Sequence, residues 1–236
     1  MKMSLTTRTA LEPSADLMEW DTEFWQTRVG RGNCSAMDEW AKSNTIGCMG
    51  LLIPADDQDE IQRAEERGFR FMDIRVKLER ETWPATAVTR PAAEGDVEPL
   101  AAIARTAFRG LTRFYADPGF DDERCDDLYE GWFRENFLDD TVEILVVGDG
   151  LGPAGFVTVK MDSAEASIVL IAVAEHARGR GVGLNLTRAA VDHAHRSGIP
   201  RISVVTQGCN IAAQRSFQGA GFATSSIDVW LHKRYG

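Results

Sequence analysis

The sequence has little basic charge and no long apolar run, and each scarcity excludes a class of protein. Its 26 Lys and Arg residues are outnumbered by 36 Asp and Glu residues, and no basic arm or stripe is present. We therefore expect neither a nucleic acid nor an anionic membrane surface as a partner. No apolar stretch approaches the length of a membrane span. The polar segment Met1–Ala10 lacks the apolar core of a signal peptide, which favours a cytoplasmic location.

Cysteine and histidine are also scarce. The four cysteines are too widely spaced for a zinc motif: Cys34, Cys48, Cys125 and Cys209. Reduced thiols are the expected state in a cytoplasmic protein. His193 and His195 lie two residues apart on a predicted helix, so their side chains cannot share a helix face. The sequence thus predicts no metal site.

The hydrophobic pattern predicts an α/β protein in two parts. Residues 1–84 are expected to form a small N-terminal α/β domain, and residues 85–236 a larger second domain. The joining stretch Glu81–Glu94 contains two prolines and shows no clear periodicity apart from a short strand predicted at Thr86–Thr89. We expect the aromatic residues Trp25 and Trp40 to be exposed at a domain or subunit contact, which makes a homodimer possible.

The second part is predicted to run α-α-β-β-β-α-β-α-β. Asp96 is a suitable N-cap for its first helix, and a loop at Arg109–Phe120 leads to an amphipathic second helix. Gly148-Asp149-Gly150 predicts a hairpin between the first two strands. The predicted strands are Val142–Val147, Ala154–Lys160, Ile168–Val173, Ile202–Thr206 and Ser226–His232.

Residues 117–140 hold ten acidic residues against two arginines. This charge could attract a cationic amine. The acids lie opposite the apolar stripe of the second helix, however, so a solvated helix face is the preferred interpretation.

A weak internal repeat links the two parts. Ile61–Phe69 precedes a strand at Phe71–Leu78, and Gln214–Phe222 precedes a strand near Ser226–Leu231. In both places a polar helix ends at Gly-Phe and turns into a strand, as a left-handed C-cap glycine permits. If the repeat is real, the first part is a truncated relative of the end of the second. Chance is the alternative.

A glycine-rich turn follows the strand at Ile168–Val173. Its residues are spaced Arg-x-x-Gly-x-Gly from Arg178 to Gly183. Glycines lack the Cβ atoms that would keep an anion from the backbone N–H groups. The first N–H groups of a helix have no internal partner and carry positive potential. The turn therefore predicts a pyrophosphate site, and an ordinary strand-to-helix turn is the alternative.

The order of these signals across Arg90–Tyr235 resembles the GNAT superfamily of acyl-CoA N-acyltransferases. A closer resemblance is to the TDP-fucosamine acetyltransferases and related nucleotide-sugar N-acetyltransferases, which also have a small N-terminal domain. It rests on Glu19–Trp25, Arg113–Pro118, Leu128–Trp132, and Thr206-Gln207 followed by Asn210. The resemblance implies a mixed, mostly antiparallel central sheet flanked by helices.

The resemblance also implies acetyl-CoA as the acetyl donor and a small-molecule amine, such as a nucleotide-linked amino sugar, as the acceptor. It implies pantetheine contacts from the main chain of Leu170, Ile171, Ala172 and Val173. It implies pyrophosphate contacts from Arg178, Gly179, Arg180, Gly181, Val182 and Gly183. Asn210 would hydrogen-bond the cofactor. An antibiotic, polyamine or protein N-terminal acceptor stays open, as does an acyl-CoA binding protein without catalysis.

One residue departs from the family pattern. Seven residues after Asn210 the family usually has a tyrosine that protonates the departing CoA thiolate, and this chain has Phe217. Phe217 can pack against the acetyl or cysteamine end of the cofactor but cannot donate a proton. The residues expected to handle the acceptor and its proton are Tyr115, Asp117 and His232. Backbone N–H groups of Ile168–Val173 are expected to stabilise the oxyanion.

Overall fold

The structure is a computed structural model that describes residues 13–148, 150 and 152–236. The segment Met1–Ala10 and the hairpin residue Asp149 therefore lie outside the described residues. The chain packs as two compact units: the residues up to Phe71 with Val229–Gly236, and Met72–Asp228. The domain boundary expected at residue 84 stays a prediction. Within the described residues, no helix combines the length and the apolar character needed to cross a bilayer.

The first unit is a small α/β arrangement. Its elements are β1 (Ala15–Leu17), α1 (Glu19–Trp25), β2 (Val29–Gly32), α2 (Met37–Ser43), β3 (Cys48–Pro54) and α3 (Gln58–Glu66). Strand β2 pairs antiparallel with β1 and parallel with β3. Parallel neighbours need a crossover, and α2 supplies it.

The apolar side chains of β3 form the centre of this unit. Met49, Leu51 and Ile53 are fully buried. The exposure expected for the two tryptophans is wrong: Trp25 is only 8% exposed, and Trp40 packs against the β3 core. Trp25 is one of the two buried residues of α1, and Trp40 lies on α2, so both rings contribute to packing rather than to a surface.

The second unit contains most of the remaining elements. They are β4 (Arg70–Glu81), β5 (Arg90–Pro91), α4 (Val97–Ala107), α5 (Arg113–Ala116), α6 (Asp122–Leu138), β6 (Val142–Gly148), β7 (Pro153–Met161), β8 (Ala166–Val173), α7 (Val182–Arg196), β9 (Arg201–Gln207), α8 (Ile211–Gly219) and β10 (Ala223–Arg234). The start of β4 and the end of β10 belong to the first unit. The helices and strands predicted after Asp96 are all present, and the bounds of the strands lie within three residues of those expected.

The sheet of the second unit is mostly antiparallel, as expected. Strand β9 pairs antiparallel with β4 and parallel with β8, and β8, β7, β6 and β5 follow as antiparallel neighbours. Successive side chains of β7 point to opposite faces. Phe156 packs against Phe133 of α6, with ring centroids 4.8 Å apart and the rings tilted by 59°, whereas Val157 and Val159 join the core beside Leu186 of α7. Helices thus flank both faces.

Two local predictions are wrong. The strand predicted at Thr86–Thr89 is absent, because side chains of α7 satisfy this backbone: Asn185 bonds both the N–H and the C=O of Val88, and Asp192 accepts from Ala85 N. The loop predicted at Arg109–Phe120 contains the short helix α5.

Candidate functional site

The sheet of the second unit opens between β8 and β9. Their parallel pairing runs from Ala166 opposite Ile202 to Ile168 opposite Val204. Strand β8 continues to Val173 and β9 to Gln207, so both strands extend beyond the paired region. Backbone groups along these ends need partners other than each other. The opening is therefore a place where an extended ligand could form strand-like hydrogen bonds.

A β-bulge in β8 lies at the start of the opening. Thr158 pairs with Leu170 and Val159 with Ile168, so Val169 is an extra residue in the ladder. The fully buried Thr158 hydroxyl accepts a hydrogen bond from Leu170 N at 2.9 Å. Bulges of this kind bend a strand and occur next to active sites. Here the bulge coincides with the point where β8 leaves β9.

Alternation along β8 decides which backbone groups face the opening. Leu170 N is directed to β7, and Ala174 N donates to Ala154 O of the β7 strand at 2.9 Å. Because successive residues point to opposite neighbours, the amides of Ile171 and Val173 face the opening. Leu170 and Ala172 point to β7. Of the four main-chain contacts expected for pantetheine, Ile171 and Val173 are the two that the strand geometry favours.

The glycine-rich turn is open around its backbone. Gly179 and Gly181 have φ of 75° and 79°, and a Cβ built on either would meet no atom within 4 Å. Gly181 is the N-cap of α7, which begins at Val182, so the first amides of that helix have no intrahelical acceptor. Helix polarity adds positive potential there. The turn can therefore hold an anion against bare backbone donors.

Arg178 connects this turn to the opening. Its Nε donates to Val173 O at 3.3 Å, so the guanidinium lies beside the end of β8. Arg180 is exposed in the same turn. Gly183 lies where α7 approaches α8, because its Cβ would fall 3.3 Å from Ser216 Oγ. The residues expected at the pyrophosphate thus form one continuous turn next to the sheet opening.

Asn210 lies at the end of β9 as the N-cap of α8. Its Oδ1 accepts from Ala213 N at 3.1 Å, so a ligand contact would come from its NH₂ group. Phe217 is 1% exposed and packs in the core against Phe222, with centroids 6.0 Å apart. Its contact with a cofactor stays a prediction.

Tyr115 belongs to an ionic network between α5 and α6. Its hydroxyl donates to Asp126 Oδ1 at 2.6 Å, and Arg109 Nε donates to both Asp126 oxygens at 2.9 and 3.0 Å. Burial and the neighbouring carboxylate raise the pKa of Tyr115 well above its ordinary value. This phenol is therefore poorly suited to act as a base. Arg105 and Arg134 pair with other acids of α6, so charge pairing accounts for that face.

The other two residues expected at the acceptor are both buried. Asp117, at the end of α5, is 3% exposed, and its Oδ1 accepts from Gly119 N at 3.0 Å. His232 is 5% exposed in the first unit, where its ring lies 6.4 Å from that of Trp230. Their catalytic roles stay predictions.

The sequence pattern did not point to one carboxylate, which belongs to β4 and lies beside the end of β9. Asp73 of β4 is 8% exposed, and burial raises its pKa to about 6. The only signal in the sequence was a single acid inside a strand, which gives no indication of burial.

Comparison with known proteins agrees with this geometry. The model of the Acetyltransferase (GNAT) family matches residues 102–222, a range that includes the opening, the glycine-rich turn and α8. The dTDP-fucosamine acetyltransferase of Escherichia coli is 27% identical over 189 residues, which cover 77% of this chain and 79% of that protein. A mycothiol acetyltransferase of Stackebrandtia nassauensis is 28% identical over 165 residues, 60% of this chain and 51% of that protein.

Solved structures share the fold at low sequence identity. A GCN5-related N-acetyltransferase from Sphaerobacter thermophilus superposes with a TM-score of 0.69 at 16% identity, covering 95% of this chain and 78% of that chain. A second, from Kribbella flavida, gives 0.59 at 13%, covering 89% and 82%. Since the family model matches over half of the chain, this protein belongs to the Acetyltransferase (GNAT) family of acetyl-CoA-dependent N-acetyltransferases.

Proposed function

We propose that the enzyme transfers the acetyl group of acetyl-CoA to the primary amine of a nucleotide-linked amino sugar, of the TDP-fucosamine type. The observation that carries this proposal is the extent of the alignment with dTDP-fucosamine acetyltransferase. It covers 77% of the chain, so it must include residues outside the range matched by the family model. The likeness is therefore not confined to the donor site that all members need.

The donor is expected to lie along β8 and the turn after it. Pantetheine would extend through the sheet opening and pair with the amides of Ile171 and Val173. The pyrophosphate would rest on the amides between Gly179 and Gly183, where a helix N-terminus favours an anion. Arg178 and Arg180 would add charge to a site in an otherwise acidic protein. The NH₂ group of Asn210 would contact the cofactor near α8.

The reaction requires a neutral amine. After losing a proton, the amine nitrogen attacks the thioester carbonyl carbon, and an amide of β8 stabilises the oxyanion. The C–S bond then breaks and CoA leaves as a thiolate. Phe217 cannot protonate it, but a thiol of pKa roughly 8.5 is a tolerable leaving group, and water can supply the proton. Tyr115, Asp117 and His232 stay candidates for contacts with the acceptor.

A second acceptor class is another small amine. Mycothiol acetyltransferases of Stackebrandtia nassauensis, Beutenbergia cavernae and Corynebacterium efficiens match this chain at 28–31% identity, although the alignments span about half of those proteins or less. These matches support a second class of acceptor, a small amine without a nucleotide, and they agree with acetyl-CoA as the donor.

The expected cytoplasmic location is consistent with four free cysteines. The absence of a metal and a homodimeric state both stay predictions.

An acceptor comparison tests the proposal. Thiol release from acetyl-CoA is measured with TDP-4-amino-4,6-dideoxy sugars, the same sugars without the nucleotide, a polyamine and an aminoglycoside. The 4-hydroxy TDP sugar is the matched control, because it lacks only the amine. We expect kcat/KM to be highest for a TDP-amino sugar. Preference for an amine without a nucleotide would contradict the acceptor class and leave the family assignment in place.

A further inference from the structure

Asp73 is a buried carboxylate that the donor site does not use. It is 8% exposed, and its Oδ1 accepts a hydrogen bond from Ile74 N at 2.7 Å. Among the described residues, no hydrogen-bond donor reaches Oδ2. Burying a carboxylate with so few partners costs free energy, because the charge loses its hydration. Such a group is a candidate for function, and its surroundings indicate which one.

The strand register places Asp73 at the end of β9. The β4–β9 pairing ends with Arg75 opposite Gln207, so Asp73 lies two residues further, beside the turn that follows β9. Gly208 N donates to Ile74 O at 2.7 Å, and a Cβ on Gly208 would fall 2.8 Å from Ile74 Cβ. Only glycine allows this approach. Asp73 is therefore fixed at the end of β9 that extends beyond its pairing with β8.

Strand alternation decides the face on which Asp73 lies. Asp73 and Arg75 point to the same side of β4, and paired residues share a face, so Gln207 and Val205 lie on that side as well. The opposite side carries Val76 and Val204, which are buried in the core beside α7. Val205 is 43% exposed. Asp73 thus lies on the accessible face at the open end of the sheet.

Three ionisable groups surround Asp73, on three different elements. These groups, which lie close enough to Asp73 to interact with it electrostatically, are Arg113 of α5, Tyr129 of α6 and Cys209 of the turn after β9. Burial raises the pKa of Asp73, and the hydrogen bond from Ile74 N together with the positive charge of Arg113 only partly offsets this, so the pKa is about 6. Burial also raises the pKa of Tyr129 and Cys209, which keeps both neutral. Asp73 is the member of this cluster that changes charge near neutral pH.

We propose that Asp73 is the general base that removes a proton from the acceptor ammonium group, an inference that rests on the proposed amine acetylation. Its position beside the sheet opening and its unpartnered Oδ2 give it both access and a site for the proton. A base of this kind contributes roughly 100- to 10,000-fold to a rate.

The proton balance follows from the reaction. Asp73 Oδ2 takes one proton from R–NH₃⁺ and becomes a neutral carboxylic acid. The lone pair of R–NH₂ forms the C–N bond, the C–S bond breaks, and the second proton of the nitrogen passes through water to the CoA thiolate. Asp73 then releases its proton to solvent. The products are R–NH–acetyl, CoA thiol and one proton, so no further reactant is needed.

The pH dependence of kcat/KM for the amine tests this role. For the wild-type enzyme we expect the rate to fall below pH 6, as Asp73 becomes protonated. For Asp73→Asn we expect a loss of about 100-fold or more at pH 7, no acidic limb near pH 6, and an acetyl-CoA Kd within about threefold of the wild type. Asp192→Asn is the matched control, since Asp192 pairs with Arg196 on α7, and it should keep the wild-type profile.

Asp73→Glu keeps the proposal testable if Asp73→Asn folds poorly, which a thermal melt would reveal. We expect Asp73→Glu to keep an acidic limb with reduced kcat. The base role is overturned if the wild-type profile has no limb near pH 6. It is equally overturned if Asp73→Asn keeps the limb, or raises KM for the amine without lowering kcat. A wild-type enzyme that binds acetyl-CoA but acetylates no amine would instead contradict the proposed function, and the role of Asp73 with it.

Discussion

Two segments of the chain, Cys48–Glu81 and Arg201–Arg234, are built from elements of equal length. Each has a seven-residue strand, a nine-residue helix and a twelve-residue strand. The helix N-caps also match: Asp57 accepts from Glu60 N and Asn210 from Ala213 N, both at 3.1 Å. The weak repeat in the sequence therefore corresponds to two segments with the same local construction.

The helix ends match as well. Gly68 and Gly221 have φ of 88° and 87°, and the residue after each is a buried phenylalanine. Phe69 N bonds Ala64 O at 3.0 Å, and Phe222 N bonds Phe217 O at 3.1 Å. A left-handed glycine followed by a buried aromatic residue thus produces the same helix-to-strand turn in two different cores.

The segments differ in what lies before the first strand of each. In the second unit, α7 begins after the open glycine turn. In the first unit, α2 begins after Ser35, whose amide donates to the carboxylate of Glu60. Burial opposes ionisation of Glu60, but the hydrogen bonds from Ser35 and the ion pair with Arg63 together outweigh it and lower the pKa of Glu60 below its ordinary value. The Glu60 carboxylate therefore already lies near the N-terminus of α2, whereas the N-terminus of α7 leaves its amides available to a ligand.

The largest expected effect comes from the left-handed glycines. Gly181→Val strains the backbone of the turn by about 1–3 kcal/mol. We expect the turn to relax out of its binding conformation to avoid this strain, which weakens acetyl-CoA binding by about 5- to 150-fold. Gly68→Val is the matched control, because its φ is similar and its Cβ position is equally open. It should lower stability and leave the acetyl-CoA Kd unchanged by calorimetry. Weaker acetyl-CoA binding in the Gly68 variant would break the comparison.

Replacing the carboxylate of Glu60 tests the first unit's part of this comparison. We expect Glu60→Gln to lower the free energy of unfolding by about 1–2 kcal/mol at pH 7. Because the pKa of Glu60 is lowered by folding, the carboxylate stabilises the protein above its unfolded pKa and loses this effect as pH falls through the folded value. Urea unfolding at pH 7 and pH 3 should therefore show a smaller difference at pH 3. Glu66→Gln, on the exposed side of α3, should change little at either pH.

Replacing the two helix N-caps should have the smallest effect on stability, and it distinguishes most sharply between a structural residue and one that contacts the cofactor. Asp57→Ala and Asn210→Ala should each cost about 1 kcal/mol of stability, because each removes one capping bond. Only Asn210→Ala should also raise KM for acetyl-CoA. Steady-state kinetics at saturating amine provides the measurement. An equal KM in both variants would remove Asn210 from the cofactor site.

Local signals predicted most of the second unit, and distant contacts explain what they missed. Apolar runs bounded by glycine turns were sufficient for β6 to β9, including β7, which is buried on both faces. The backbone around Val88 reads as a strand, but Asn185, almost a hundred residues away, bonds it instead. The electrostatic surroundings of Asp73 come from residues of α5, α6 and the turn after β9, which are distant in the sequence. No pattern near residue 73 contains that information.

The extra residue at Val169 has a consequence for how this chain can vary. Before it, Ile168 lies over α7 with Val159. After it, Ile171 and Val173 occupy that side, and Leu170 faces the other way with Thr158. Deleting one residue here would exchange the two sets of side chains between the layers. This stretch can accept new side chains, but its length is fixed.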